Sequence, residues 1–469
     1  MTAEVLSGQR CLVVGLGRFG GGAGAVRWAV ESRLEVTLTD RADEDALADP
    51  LERLRPTLEA GAVRTVLGGH AGLDPRDFDL VIANPAVPPS APLLAAARAA
   101  GVRVTSEVEL WLERTPARVL AVTGTQGKSS TVTFLAQLLT ATGTDARVGG
   151  NLGGSLLATL ADDRPETTRV VELSSYQLEG LGPQPRRAAR GIAVTNVLAD
   201  HLDRHGDLAG YAAAKRRLLE LCAPGGVALL PTEGPAAAWR PADLDVRGHG
   251  PGGWARVEGD RAWLGEDALP LGALELPPFQ RANVLVALAA ARALGLEVEP
   301  LVHALPRLRP PHHRCEALPA RLGRRILDNG VATTPDATLG ILEAIDPGAT
   351  LLLGGHSKGL PWGPLLERLA ARGDRVVAFG AAAEELRAAC AETDVTCSVR
   401  ASLEAAVEAG LDDTPAGATL VFSPSCASFD AYANFEQRAR HFRASLEPFD
   451  SPGASASGPG GSSRGAAGV

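Results

Sequence analysis

The stretch Val119–Ser130, VLAVTGTQGKSS, runs an apolar strand into a glycine-bracketed loop that ends in Gly127-Lys128-Ser129. Gly124 and Gly127 let the backbone turn with no Cβ in the way, so successive N–H groups and the N terminus of a following helix point at an anion. In such a loop Lys128 supplies a point charge for the outer phosphates and the Ser129 hydroxyl is a ligand for Mg²⁺. The spacing is shorter than G-x-x-x-x-G-K-[ST], because Gly124 stands only three residues before Gly127. A β-rich run before the loop and the amphipathic TVTFLAQLL after it favour a phosphate cradle over a plain glycine-rich turn.

Outward from this loop the chain keeps a βα rhythm, which predicts an α/β fold with parallel sheets. CLVVGLG, LEVTLTD, AVRTVLG, DLVIANP and a strand near Val102–Val108 alternate with alanine-rich helices before Pro116 breaks the pattern. A second series holds RVVELSS, GIAVTNV and GGVALLP, then a Pro/Gly/Trp-rich stretch 231–278 read as short strands or loops, then the helix FQRANVLVALAAARALG. Pro310-Pro311 stiffens a second break, and RILDNG, ATLLLGG, RVVAFG and GATLVFSP follow. The expected domains are 1–115, 116–309 and 310–448, with a Gly/Ser-rich tail over 449–469 too polar to bury anything.

Composition narrows the function classes. A net charge of −9 with no basic tract disfavours nucleic acid as a partner. No apolar run approaches the roughly 20 residues that a bilayer requires. The N terminus MTAEVLSGQR lacks an apolar signal core, so the expectation is a cytoplasmic protein without membrane insertion. Six cysteines without C-x-x-C spacing argue against both a disulfide framework and a zinc site, and are read as reduced and mostly buried.

Two further constellations carry chemistry. VVGLGRFGGG follows a strand, opens a helix and is answered by Asp40 at the next strand end, which is a Rossmann-type pattern. By itself it leaves a redox dinucleotide, another diphosphate ligand and simple helix–sheet packing open. In the second series Glu172 ends RVVELSS, and Asp200 and His201 lie just past GIAVTNV, so both strand ends arrive where ligands collect in open parallel sheets. Ser129, Glu172 and His201 together suit Mg²⁺ or Mn²⁺ better than zinc. Lys215, in YAAAKRRLLE, reads from spacing alone as an exposed helical lysine.

The ordered series TGTQGKSS, VVELSSYQLE, NVLADHLDRHG, YAAAK, HRCE at His313–Glu316, LLLGGHSKG and SPSCASFDAYANFEQR resembles the Mur ligases, the ATP-dependent amide ligases of peptidoglycan precursor synthesis. The resemblance runs to about Leu446, and its short TGTxGK[ST] loop accounts for the missing residues. ELSSxQLE, SPxCAS and NFEQR resemble the branch that adds D-glutamate to UDP-N-acetylmuramoyl-L-alanine.

The resemblance implies a Rossmann-like UDP-substrate domain, a central ATPase domain and a C-terminal Rossmann-like domain for the amino acid. Leu16, Gly17 and Arg18 would meet the UDP diphosphate, Asp40 and Arg41 the uridine end, and Asn151 the sugar–lactoyl–alanine arm. ATP would lie on Gly124, Thr125, Gln126, Gly127, Lys128, Ser129 and Ser130, with Asn283 at adenine, Arg314 at the phosphates and Asp328 or Asn329 at the ribose. Two Mg²⁺ ions would be shared by Ser129, Glu172, His201 and a Lys215 carbamylated by CO₂, and Lys128, His201 and Lys215 would be the catalytic set. Thr333, Lys358, Ser428 and the backbone near Phe435 would hold D-glutamate. A monomer is expected. Two departures fall in the third domain: Val331 replaces the lysine of DSKAT, and His356 stands where an aspartate is frequent. Folylpolyglutamate synthase, an NAD-dependent dehydrogenase and a non-catalytic nucleotide-binding protein are the rival readings.

Overall fold

The computed structural model describes residues 7–17, 20–61, 63–272, 274 and 276–449. Arg18 and residues 450–469 of the expected tail therefore lie outside the described residues, while Phe449 closes a short 3₁₀ turn, Glu447–Phe449. The chain is α/β with three parallel-dominated sheets, carried by two compact units, Met1–Arg309 and Pro310–Val469.

The first sheet is wholly parallel. It comprises β1 (Arg10–Val14), β2 (Glu35–Thr39), β3 (Val63–Val66), β4 (Leu80–Ala83) and β5 (Arg103–Ser106), in the order β3-β2-β1-β4-β5. The order reverses at β1, so β1 and β4 open a crevice at their carboxyl ends, beside the glycine-rich turn. The strand expected over Val102–Val108 stops at Ser106. There the Ser106 hydroxyl accepts the Glu109 N–H at 3.3 Å and starts helix Glu107–Arg114. Ser-x-x-Glu is an N-cap signal, and it overrides the β-branched run before it.

The second sheet contains β6 (Arg118–Thr123), β7 (Ala146–Gly150), β8 (Thr168–Glu172), β9 (Ala189–Val194), β10 (Cys222–Pro231), β11 (Asp245–His249), β12 (Ala255–Glu258), β13 (Arg261–Leu264) and β14 (Asp267–Pro270). Their order is β14-β13-β12-β11-β10-β9-β6-β8-β7. The Pro/Gly/Trp-rich stretch thus folds as appended strands, the last two pairings antiparallel. Helix Lys128–Ala141 buries Val132, Phe134, Leu135, Leu138 and Leu139 together with the apolar face of helix Pro278–Ala293, which closes that side of the sheet. On the other face one apolar cluster runs from β1 and β2 through Trp111 to β6, β9 and β10, so the first two sheets share a core.

In the second unit β15 (Glu316–Arg321), β16 (Arg324–Asp328), β17 (Thr350–Gly354), β18 (Arg375–Phe379), β19 (Cys397–Val399) and β20 (Thr419–Ser425) are ordered β15-β16-β20-β17-β18-β19. Only the β15–β16 hairpin is antiparallel. Among the described residues no helix is long and apolar enough to cross a membrane.

Candidate active site

The phosphate-type loop joins β6 to helix Lys128–Ala141, and two of its positions admit only glycine. Gly124 has φ +153°, and a Cβ there would sit 1.8 Å from Thr195 Oγ1; Gly127, the helix N-cap, has φ +80° and would meet Asn283 Oδ1 at 2.1 Å. Both costs, left-handed backbone and collision, vanish without a Cβ. The turn is then clamped from the end of β9. Asn196 Oδ1 accepts the N–H groups of Thr125 (3.2 Å) and Gln126 (3.0 Å), Thr195 Oγ1 donates to the Gln126 carbonyl at 2.5 Å, and Thr125 Oγ1 accepts the Leu198 N–H at 2.9 Å. Lys128 Nζ donates to the Thr125 carbonyl at 2.9 Å, which draws its charge back over the loop.

Beside the loop lies a polar group drawn from three elements, with Ser129 and Glu172 buried and Asn151 exposed. Ser129 Oγ donates to Glu172 Oε2 at 2.6 Å, and Asn151 Nδ2 donates to Glu172 Oε1 at 2.8 Å. Glu172 is 2% exposed. The strands dictate this meeting: β8 pairs with β6 in register Val122↔Glu172 and with β7 in register Gly150↔Glu172, so its carboxyl end arrives between the loop and Asn151.

Lys215 overturns its reading as an exposed helical lysine. It lies in helix Leu208–Arg216, is 1% exposed, donates from Nζ to the Gly124 carbonyl at 2.7 Å, and sits 4.4 Å over the Tyr211 ring. Burial, then the charge of Lys128, pushes its pKa down from 10.5 to about 7; Asp200 and Glu172 pull the other way.

His201 stands apart from this group. It is exposed, takes a left-handed φ of +51°, and its ring lies 5.1 Å from Tyr176 and 6.2 Å from Tyr211, with Asp200 Oδ2 3.6 Å from its Nε2. Tyr211 is thus the ring shared by His201 and Lys215.

Oxygen donors from Ser129 and Glu172 fit a hard divalent cation that keeps waters or phosphate oxygens in its other positions. Lys215 as an ammonium offers donors only and does not fit as a ligand. Among the described residues no group of three or more His, Cys, Asp and Glu side chains converges to hold a metal ion. The loop itself fits a polyphosphate: a cradle that a Cβ would fill, backed by a helix N terminus and a lysine.

At the first sheet's crevice the Leu16 N–H donates to Asp40 Oδ2 at 2.8 Å, and the Ala42 N–H to Asp40 Oδ1 at 2.9 Å. Asp40 therefore shapes the glycine turn as well as facing it. Gly17 packs on Asn84, whose Nδ2 would be 2.7 Å from a Cβ at that position, and Arg41 is exposed at the rim. The turn also approaches the second sheet, since a Cβ on Gly20 would lie 3.7 Å from Gly154 in the segment that follows Asn151. Helix Glu107–Arg114 ties the two sheets together: the Ser155 hydroxyl donates to Glu107 at 2.5 Å, and the Gly182 N–H to Glu109 at 2.9 Å.

In the second unit Lys358 Nζ donates to Thr333 Oγ1 at 3.1 Å, which brings together two of the four residues expected at the amino acid. A paired backbone bridge, His356 to Ala427, sets the β17 loop against Ser428, which is 2% exposed. Phe435 opens helix Phe435–Leu446 behind the Asn434 N-cap. Arg314 is half-buried, its N–H bonded to the Pro311 carbonyl. Asp328 is enclosed: its carboxylate takes His313 Nδ1 and Arg443 Nε, each at 2.7 Å, and the Gly330 N–H at 3.0 Å. Asn329 is buried beside it, with Nδ2 on Ser423 Oγ at 3.0 Å. Val331, in place of the expected lysine, contributes its N–H to the His313 carbonyl.

Comparison with known proteins agrees with this architecture. Over 94% of the chain and 99% of the other, the fold matches UDP-N-acetylmuramate–alanine ligase MurC of Thermotoga maritima with a TM-score of 0.58 at 17% identity. Over 95% of the chain and 97% of the other, it matches MurF ligase of Thermotoga maritima in complex with ADP, also at 0.58, with 16% identity. The Mur ligase middle domain model matches residues 122–247. UDP-N-acetylmuramoylalanine–D-glutamate ligase of Roseiflexus sp. (strain RS-1) is 32% identical over 95% of the chain and 99% of its own length. The enzyme of that name from Anaeromyxobacter dehalogenans (strain 2CP-C) is 34% identical over 94% of the chain and 98% of its own. The chain belongs to the UDP-N-acetylmuramoylalanine–D-glutamate ligase family.

Several residues that shape the site in this Mur ligase were not singled out by the sequence. Thr195 and Asn196 clamp the loop, Asn84 backs the glycine turn, and Tyr211 underlies Lys215. Asn196 carried a signal, an asparagine directly after a strand end within NVLADH. Tyr211 also carried one, as the first residue of YAAAK, four residues before Lys215 and so on the same helix face. Thr195 and Asn84 have none, because their partners are 60 or more residues away in sequence.

Proposed function

We propose that the chain ligates D-glutamate to the L-alanyl carboxylate of UDP-N-acetylmuramoyl-L-alanine, using ATP and releasing ADP and phosphate. End-to-end similarity to ligases of that name carries the reading. The cradle of Gly124 and Gly127 beside Ser129, Glu172 and Lys215 supports it. On this reading residues 1–115 bind the UDP substrate, 116–309 bind ATP and 310–448 bind the amino acid.

A free carboxylate is a poor electrophile, so the amide requires an activated acyl group. The loop amides and Lys128 would hold the γ-phosphoryl group of ATP in line with the alanyl carboxylate and offset its charge, which is the part a protein plays in phosphoryl transfer. An acyl phosphate forms and ADP leaves. The D-glutamate amine then attacks the acyl carbon, and phosphate leaves from the tetrahedral intermediate. Ser129 and Glu172 would hold Mg²⁺, which when bound supplies charge neutralisation at the phosphates. His201 would orient charge at the reacting end. Lys215, with a pKa of about 7, is in part the neutral amine that CO₂ requires for carbamylation, and the product would be an anionic oxygen donor in place of a cation. Arg314 would reach ATP; Thr333, Lys358, Ser428 and the backbone near Phe435 would hold D-glutamate. Two Mg²⁺ ions, a monomeric state and a cytoplasmic location belong to the same proposal.

The test is phosphate release with UDP-N-acetylmuramoyl-L-alanine, ATP and D-glutamate, with L-glutamate, L-alanine and diamino acids as comparisons. Release that depends on D-glutamate is expected. Equal or faster turnover with another amino acid would sink the assignment.

A further inference from the structure

The loop that follows β4, Asn84–Pro89, reads NPAVPP. Its prolines carry no N–H and offer nothing to a strand ladder, so the loop's carbonyls need donors from elsewhere. This loop walls the first glycine turn: a Cβ on Gly15 would sit 2.9 Å from Asn84 Cβ and 3.0 Å from Val87 Cγ2. From within it is closed by the Ala86 N–H on Asn84 Oδ1 at 3.0 Å and the Val87 N–H on the Asn84 carbonyl at 2.9 Å. From outside it is held by Arg204, a residue that no step of the proposed reaction uses.

Arg204 stands three residues after His201, in the short helix Leu202–His205, with its side chain 12% exposed. Its Nη1 donates to the Ala86 carbonyl at 3.1 Å, and its Nη2 to the Pro85 and Val87 carbonyls at 3.4 Å each. Its Nε donates to Glu179 Oε2 at 2.9 Å, and the guanidinium lies 5.0 Å over the Tyr176 ring. Tyr176 and Glu179 are three residues apart on helix Ser175–Glu179, so ring and carboxylate are presented on one face. The Tyr176 hydroxyl is in turn 3.4 Å from His201 Nδ1. One planar cation thus meets three successive carbonyls, a carboxylate and a ring, which the point charge of a lysine cannot do at once.

We propose that Arg204 is a positioning residue of the ligation: it fixes the wall of the UDP-substrate turn relative to His201, and with it the span from the diphosphate end of the substrate to its alanyl carboxylate. The inference rests on the ligase reading given above. On that reading the UDP lies at the first glycine turn while the reacting carboxylate meets the γ-phosphoryl group at the Gly124–Ser130 loop, so one substrate bridges two sheets. The reacting atoms align only if the two walls keep their separation, and a misplacement of about 1 Å costs about 100-fold in rate. The bonds of Glu107 and Glu109 to Ser155 and Gly182, with the shared apolar core, keep the two sheets joined when Arg204 is changed. What its loss releases is the Pro85–Val87 wall and the Tyr176 ring beside His201.

The test compares Arg204→Met and Arg204→Lys with wild type by steady-state phosphate release and by calorimetry with ADP, all in the full-length chain. In Arg204→Met the KM for UDP-N-acetylmuramoyl-L-alanine should rise and kcat fall, each by about 10-fold or more, while the Kd for ADP changes by less than about twofold. Arg204→Lys keeps the charge without the fork and should show the same split at smaller size. A merely structural role lowers the fraction of folded enzyme, which reduces kcat and leaves the KM where it was. An unchanged KM for the UDP substrate in both variants overturns the proposal, as does wild-type behaviour of Arg204→Lys, which decides alone if Arg204→Met does not fold. Absence of D-glutamate-dependent release in wild type overturns the ligase reading and this inference with it, whereas an unchanged KM beside an active wild type overturns the positioning role alone.

Discussion

Replacing Lys215 with methionine removes an ammonium that the fold keeps in an unfavourable place. The side chain is 1% exposed, and burial with Lys128 nearby lowers its pKa from 10.5 to about 7. At 1.36 kcal/mol for each pH unit, that gap sets an upper bound of about 5 kcal/mol on the cost of the charged form inside the protein. The sign follows from proton counting. Between pH 7 and 10.5 the unfolded chain holds this proton and the folded chain does not, so wild-type stability rises with pH across that window. Below pH 7 both states are protonated and the full penalty is present. Lys215→Met lacks the proton in both states, so its stability carries no such term. The stability difference, mutant minus wild type, should therefore be largest near pH 6 and shrink by about 3 kcal/mol by pH 9. Urea unfolding of both proteins at pH 6, 7, 8 and 9 in carbonate-free buffer reads this directly, and the pH dependence is safer than either absolute value because lost packing and hydrogen bonding cancel from it. A difference that stays flat from pH 6 to 9, or that widens with pH, refutes the buried-ammonium argument.

Three other outcomes can be checked with simple variants. Lys128→Ala should lower turnover by about 100-fold or more, the scale of losing one preorganised electrostatic group worth about 3 kcal/mol, and phosphate-release kinetics will show it. Gly124→Ala places a methyl group 1.8 Å from Thr195 Oγ1 at φ +153°, so calorimetry should find nucleotide binding lost and unfolding a loss of about 1–3 kcal/mol or more; wild-type binding would contradict the loop geometry. Glu107 has its pKa raised by burial from 4.5 to about 6, against the Ser155 hydroxyl and the Leu156 and Leu157 amides. A raised folded pKa gives stability that is complete below pH 4.5 and lost as pH climbs through 6, so wild type should lose about 2 kcal/mol over that window that Glu107→Gln does not lose, as read by unfolding at pH 4.5 and 7.

The parallel α/β class, the glycine-bracketed turn between β6 and its helix and the strand-end position of Glu172 were legible because they rest on local signals: apolar runs of strand length, glycines at fixed offsets, and side chains at strand termini. The central helix pair and most strand positions follow from the same periodicities. Where local reading went astray, a second local signal competed with the first, as at Ser106, whose N-cap geometry ended a strand that the hydrophobic run extended. Asp328 illustrates a different limit. Nothing near it in sequence announces Arg443, 115 residues on, which with His313 encloses its carboxylate.

The sequence by itself determined that VLAVTGTQGKSS would be a strand, a Cβ-free turn and a helix, since steric freedom at glycine and the spacing of apolar residues act within a dozen positions. Only the tertiary structure decided what surrounds that turn. The order β9-β6-β8-β7 sets Asn196, Glu172 and Asn151 around it, and helix Leu208–Arg216 delivers Lys215 to the Gly124 carbonyl from 91 residues away. A lysine followed directly by two arginines at the end of a helix has no local cause to be buried. It is buried because the sheet order puts the carboxyl end of β6 beneath it, and that placement turns a solvated cation into an amine with a pKa of about 7.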